Sequence, residues 1–220
     1  DNNVLIGEGV AGTGTVAGAS GNVGVGFETL KDVTDGGFNV AIGYQAGQNI
    51  TSADECIAIG TNALNLATLS QNSIAIGRNA MSGITTNVVS NVVAIGYGAL
   101  QGVSGTTSGA DGTVAIGKDA GKAITTGGNN TLMGDGVADA LTDGHDNVII
   151  GSGAGTNTTS VGFSVIIGRK AGQANLTAAA DGTVAIGYEA GNAITSGTEN
   201  VVVGFEAGKS TNTGDRNTYI

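Results

Sequence analysis

The chain has no Pro, no Trp, one Cys and one His, and only 12 % of its 220 residues are charged. Each shortage excludes something. A single Cys cannot close an internal disulfide. Without Pro, and with Gly that does not recur at every third residue, the chain is not collagen-like. No apolar run approaches the roughly 20 residues of a membrane helix, and no signal-peptide pattern opens the chain, so membrane insertion is not expected. A 40 % hydrophobic content with so little charge argues against disorder. His145, alone in Asp143-Gly144-His145-Asp146, has no partners for a nucleophilic triad and reads as a loop histidine. The net charge of −10, with Arg169-Lys170 the only basic cluster, makes nucleic acid a poor partner.

What the chain has in abundance is Gly, 41 residues against a usual level of about 7 %. Many of these glycines close a recurring Val-Ala-Ile-Gly segment: Gly7, Gly26, Gly43, Gly60, Gly77, Gly96, Gly117, Gly134, Gly151, Gly168, Gly187 and Gly204. Their spacings are 17, 19 or 21 residues, so the unit is 17 residues with insertions of two or four. The insertions fall in polar stretches, Gln101 to Gly112 being the longest, followed by 12–21, 82–91 and 173–182. Residues 1–220 therefore read as one repeat array, and Asn217-Thr218-Tyr219-Ile220 begins a further unit, as in a piece cut in register from a longer fibre.

Aligned on its Gly, each unit assigns roles to positions. The residues one and three before the Gly are Val or Ile almost throughout (Ile42, Val40; Ile59, Ile57), and the residue between is mostly Ala. This alternation predicts a short strand. It is expected to bury the two β-branched residues and to turn the middle one outward, where a stripe of Ala, Leu, Ile, Val or Gly would receive a partner chain. The Gly marks a backbone turn or close approach. Ala recurs three residues later in nine of twelve units, and an apolar residue recurs seven later, as in Ile50, Ile84 and Ile124. A Thr rank follows: Thr15, Thr34, Thr51, Thr68, Thr85, Thr125, Thr142, Thr159 and Thr195, with Ser104 matching. A unit with two such short strands and a loop cannot bury its own apolar face, whereas stacked units can. The fold class expected is all-β, a parallel β-solenoid of about twelve 17-residue coils, about 58 Å long at about 4.8 Å per coil.

The motif in Asn39-Val40-Ala41-Ile42-Gly43-Tyr44-Gln45-Ala46-Gly47, and again in 113–121 and 183–191, resembles the head repeat of trimeric autotransporter adhesins of the YadA-like type. The resemblance implies a left-handed β-roll, assembled as a homotrimer around a three-fold axis. The family's usual repeat is shorter. The longer form here is similar to repeats in bacteriophage tail fibres, which implies a non-enzymatic, extracellular fibre segment of a virion that attaches to a host cell-surface glycan or protein. The alternative is the head of a bacterial autotransporter on the outer surface.

Other chemistry was weighed on the residues. Acidic side chains recur two after the Gly at Glu28, Asp119, Glu189 and Glu206, and the last two lie on successive coils. Glycosidases use carboxyl pairs at that separation, but these read as solvated charges on a turn. Asp111, Asp143 and Asp181, each followed by Gly, read as turn residues, without the dense motif of calcium β-solenoids. No catalytic residue, cofactor or metal ligand is therefore assigned. Cys56 reads as a free small residue. The Thr rank resembles an ice-binding face, though irregular insertions follow it and a bond into its own loop also accounts for it. Five of the eight Phe and Tyr, namely Phe27, Tyr44, Tyr97, Tyr188 and Phe205, directly follow the unit Gly. They either face a receptor, stacking on sugars, or plug the groove between chains.

Overall fold

The computed structural model describes residues 2–12, 18–84, 89–102, 109–210 and 212–220. Thr15, Thr85, Val103 and Ser104 lie outside them, as do the centres of three insertions. Thirteen short strands pair in chain order in one parallel sheet. They are β1 Val4–Ile6, β2 Val23–Val25, β3 Val40–Ile42, β4 Ile57–Ile59, β5 Ile74–Ile76, β6 Val93–Ile95, β7 Val114–Ile116, β8 Thr131–Met133, β9 Val148–Ile150, β10 Val165–Ile167, β11 Val184–Ile186, β12 Val201–Val203 and β13 Thr218–Tyr219. A 3-10 turn, Ala178–Ala180, capped by Thr177, occupies one insertion. The register repeats with the unit, as in Val40↔Ile57, Ala41↔Ala58 and Ile42↔Ile59. The molecule is a β-solenoid of about twelve turns with 17 residues per coil, and β13 takes up the beginning of the next unit.

Each coil carries one strand, not the two expected. The rest of the coil is built from turns closed by left-handed residues. Apart from Gly102, every residue with positive φ falls on one of four repeat positions: the unit Gly, two and four after it, and five before it. These include bulky residues such as Leu30, Leu64, Phe38 and Phe163. Consecutive left-handed corners leave no room for a second extended segment. Backbone bonds still run from coil to coil through the turns, for instance Gln45 N–H to Phe27 O at 2.9 Å and Gly47 N–H to Ala63 O at 2.9 Å.

The orientation of the strand is the reverse of that expected. The middle residue points inward: Ala41, Ala75, Ala94, Leu132, Ile149, Ile166 and Val202 are fully buried. The flanking Val and Ile point out and are half-buried or exposed. The position four before the Gly has the same parity as the middle residue and settles the matter. There Asn22, Asn39, Asn130, Asn147 and Asn200 are buried, forming hydrogen bonds that only an inward side chain can make. Asn39 N–H donates to Asn22 Oδ1 at 2.8 Å, and Asn39 Nδ2 donates to Ala53 O at 2.7 Å. The same pair of bonds joins Ser164 N–H to Asn147 Oδ1 and Asn147 Nδ2 to Val161 O. Cys56 holds this place in its coil, with Sγ 3.4 Å from Ser70 O, and burial pushes its thiol up to about 11.

The interior also explains the variable sizes along the repeat. Where the strand centre is small, the residue six further on is large: Gly24 with Leu30, Ala58 with Leu64, Ala75 with Met81, Ala94 with Leu100. Where the centre is large, the partner shrinks: Leu132 with Ala138, Ile149 with Gly155, Ile166 with Gly172. The two positions share one core volume, as close packing requires. Where both are small, at Ala41/Gly47 and Ala115/Gly121, the side chains of Ile50 and Ile124 come up against the glycine.

Two outcomes follow, both measurable by urea denaturation. Ile149→Ala lowers stability by about 2–5 kcal/mol. Adding Gly155→Leu, which rebuilds the Ala58/Leu64 arrangement, restores more than half of the loss, although Gly155→Leu alone overpacks the coil. Asn147→Leu strands the Ser164 N–H and the Val161 carbonyl and costs about 2–4 kcal/mol, whereas Cys56→Asn, which extends the ladder from Asn39, leaves the midpoint unchanged or higher.

Candidate functional site: an outward apolar face and its two edges

With the small residues inside, the outer face of the sheet carries two ranks of large aliphatics. Val40, Ile57, Ile74, Val93 and Val114 stand in one, and Ile42, Ile59, Ile76, Ile95 and Ile116 in the other. Thr131 is the one polar residue on either rank. The strip is about 58 Å long and about 10 Å wide, on the order of 600 Å² in plan. That is at the upper end of the 300–600 Å² or so that the largest patch of a monomer covers. The expected apolar stripe thus exists, but on Val and Ile rather than on Ala.

Two exposed edges flank the strip. On one side lie the residues directly after the unit Gly. Phe27, Tyr44, Tyr97 and Phe205 are exposed, Phe205 by 75 %, and Tyr188 is half-buried. The rings stack along the fibre: Phe27 on Tyr44 with centroids 5.3 Å apart, and Tyr188 on Phe205 at 5.2 Å. Arg78 lies over Tyr97 at 5.9 Å and Arg169 over Tyr188 at 5.8 Å. The ladder is therefore aromatic and basic on an otherwise acidic chain. Sequence reasoning found its rings and missed its cations, although Arg78 and Arg169 occupy the same repeat position. On the opposite side, five before the Gly, Phe38 and Phe163 are 67 % and 63 % exposed. His145 packs edge-on to Phe163, with centroids 4.9 Å apart, and its Nδ1 lies 3.0 Å from Asp146. This edge was also missed, because its rank mixes Gly, Asn, Asp, Glu and Phe, residues united only by a left-handed backbone.

The remaining candidates have structural partners. Lys209 Nζ lies 2.5 Å from Glu189 and 3.0 Å from Glu206, joining the successive carboxylates. Its hydrogen bond holds Glu189 below the ordinary glutamate value, and Lys31 does the same for Glu28 at 2.6 Å. Asp119 is within reach of Lys122 at 3.3 Å and of Lys118 at 3.7 Å. Asp111 Oδ1 accepts the Ser90 N–H, and Asp181 Oδ1 the Gly162 N–H, each at 2.7 Å, so these carboxylates tie a coil to its predecessor. Asp143 Oδ1 accepts from Thr142 Oγ1. The Thr rank bonds not into its own loop, as expected, but to the next coil. Thr34 Oγ1 donates to Thr51 O, Thr51 to Thr68 O, Thr125 to Thr142 O and Thr142 to Thr159 O, at 3.0–3.1 Å. Among the described residues there is no pocket, no cluster of metal-ligating side chains, and no helix long and apolar enough to cross a membrane.

The ion pairs predict the response to acid. Glu28 and Glu189 titrate below the ordinary value of 4.5. Their contribution to stability is therefore intact above 4.5 and is lost as the pH falls through their lower folded-state values. The melting midpoint should hold from pH 7 to about 5 and drop below pH 4. Lys31→Met with Lys209→Met should lower the midpoint at pH 7 and flatten that drop. No family model, curated protein or solved structure matches the chain.

Proposed function

We propose that the chain is a stiff, non-enzymatic segment of an extracellular fibre, three copies of which pack side by side through their Val and Ile faces. The observation that carries this reading is the double outward rank of β-branched residues, repeated on every coil with one polar interruption. Such a strip is costly to expose to water, at about 25 cal/mol per Å², and a closed ring of identical chains covers it without leaving an open end. The straight run of coils supplies stiffness, and the polar insertions and aromatic edges supply variable surface. The resemblance to YadA-like head repeats adds a left-handed roll. The long repeat favours a bacteriophage tail fibre on a virion over a bacterial autotransporter head, with attachment to a host cell-surface glycan or protein as the role.

Light scattering tests the assembly. The expected mass is about three times the 21.2 kDa chain, and a mass of one chain contradicts the reading. Ile76→Glu with Ile116→Glu, both on the outward rank, should return the mass to one chain while the circular dichroism of the sheet persists. Glycan-array binding tests attachment: Phe27→Ala, Tyr44→Ala and Phe205→Ala together should abolish any signal, and undiminished binding would place the receptor surface elsewhere.

A further inference from the structure

We propose that the two edges of the apolar face are the two halves of one joint: the Phe38 and Phe163 edge of one copy docks on the post-glycine edge of the next copy, coil level against coil level. The inference rests on the ring reading above and names the surfaces that close the ring. When identical sheet faces turn toward a common axis, their strands all circulate in the same sense. Each face then meets its neighbour leading edge to trailing edge, and rotation about the axis adds no shift along it.

Three observations support the joint. First, Phe38 and Phe163 are large, mostly exposed and held at φ of 58° and 53°, a conformation uncommon for bulky residues. Within their own chain, the stacking found for them is that of His145 on Phe163. Second, the other edge offers a ring or a cation at their levels. Phe38 shares its coil with Tyr44, whose ring stacks on Phe27. Phe163 shares its coil with Arg169, which pairs with no carboxylate among the described residues and lies over Tyr188. Aromatic pairs and arginine–aromatic contacts are the natural complements of these groups. Third, the charges agree at equal height. Exposed Glu55 and Asp146 meet Thr61 and Ser152, while Arg78 and Lys118 meet Asn72 and Gly112, so like charges never oppose.

Within one chain Phe38 and Tyr44 stand on opposite sides of β3, roughly 10 Å or more apart. A disulfide needs Cα atoms about 4.4–6.8 Å apart, so a bond between these positions must join two copies. The experiment uses the 220-residue chain carrying Cys56→Ser, a residue its rank already accepts at Ser73. To this are added Phe38→Cys with Tyr44→Cys, or Phe163→Cys with Arg169→Cys as an independent second level. After oxidation, a covalent species of three chains on a non-reducing denaturing gel is expected for either pair, with no cross-link from any single cysteine variant. A three-chain mass in solution with no covalent species at either level overturns the joint and leaves the ring reading standing. A one-chain mass overturns both. Cross-linking by Phe38→Cys alone also overturns the joint, since that edge would then meet itself. The replaced side chains are exposed, and circular dichroism verifies the fold of each variant.

Discussion

Everything in this molecule depends on how closely successive coils approach at the strand-closing glycine. From Gly7 to Gly187, a Cβ at that position would lie under 3.0 Å from backbone atoms of the next coil's glycine, closer than real Cβ atoms come. The φ there is 127° to 144°, a region that side chains rarely occupy. The contact fixes the vertical spacing and the rotational register at once. With the register fixed, every repeat position becomes a continuous rank along the fibre. The Asn ladder, the Thr bonds, the stacked rings and the apolar strip are all consequences of that stacking.

The same constraint divides labour between the inside and the outside of the coil. A one-strand coil closed by left-handed corners has a narrow interior, so its inward strand position takes Ala or exchanges volume with a partner six residues away. Polar backbone that a second strand would have satisfied is instead satisfied by Asn side chains reaching across coils. The large β-branched residues cannot be accommodated inside and are displaced outward. The self-association surface is thus produced by the packing of the interior.

The period, the register of the strands and the role of the glycines were legible in the sequence, because each is carried by residue type at a fixed spacing. The direction of the strand was not. An alternation of Val, Ala and Ile establishes that neighbours face opposite ways, but when both faces are apolar, hydrophobicity alone favours the larger residues for the core. The discriminating signals were present and weak: Asn recurring at the parity of the Ala, and the inverse sizes of pairs such as Ala58/Leu64 and Ile149/Gly155. The basic part of the ladder, Arg78 and Arg169, was hidden because cations occupy only some levels. The Phe38 edge was hidden because a shared backbone conformation, rather than shared chemistry, defines its rank.

One comparison of variants probes the governing contact most directly. Gly117 and Gly136 both have positive φ, but a Cβ at Gly117 would overlap the Gly134 carbonyl, whereas one at Gly136 has nothing within 4 Å. Thermal unfolding of Gly117→Ala and Gly136→Ala should therefore separate widely. Gly136→Ala should cost about 1 kcal/mol, the ordinary penalty of a left-handed alanine, and Gly117→Ala should cost about 3 kcal/mol or more, from the forbidden backbone and the broken register together. Equal losses for the two variants would contradict the account.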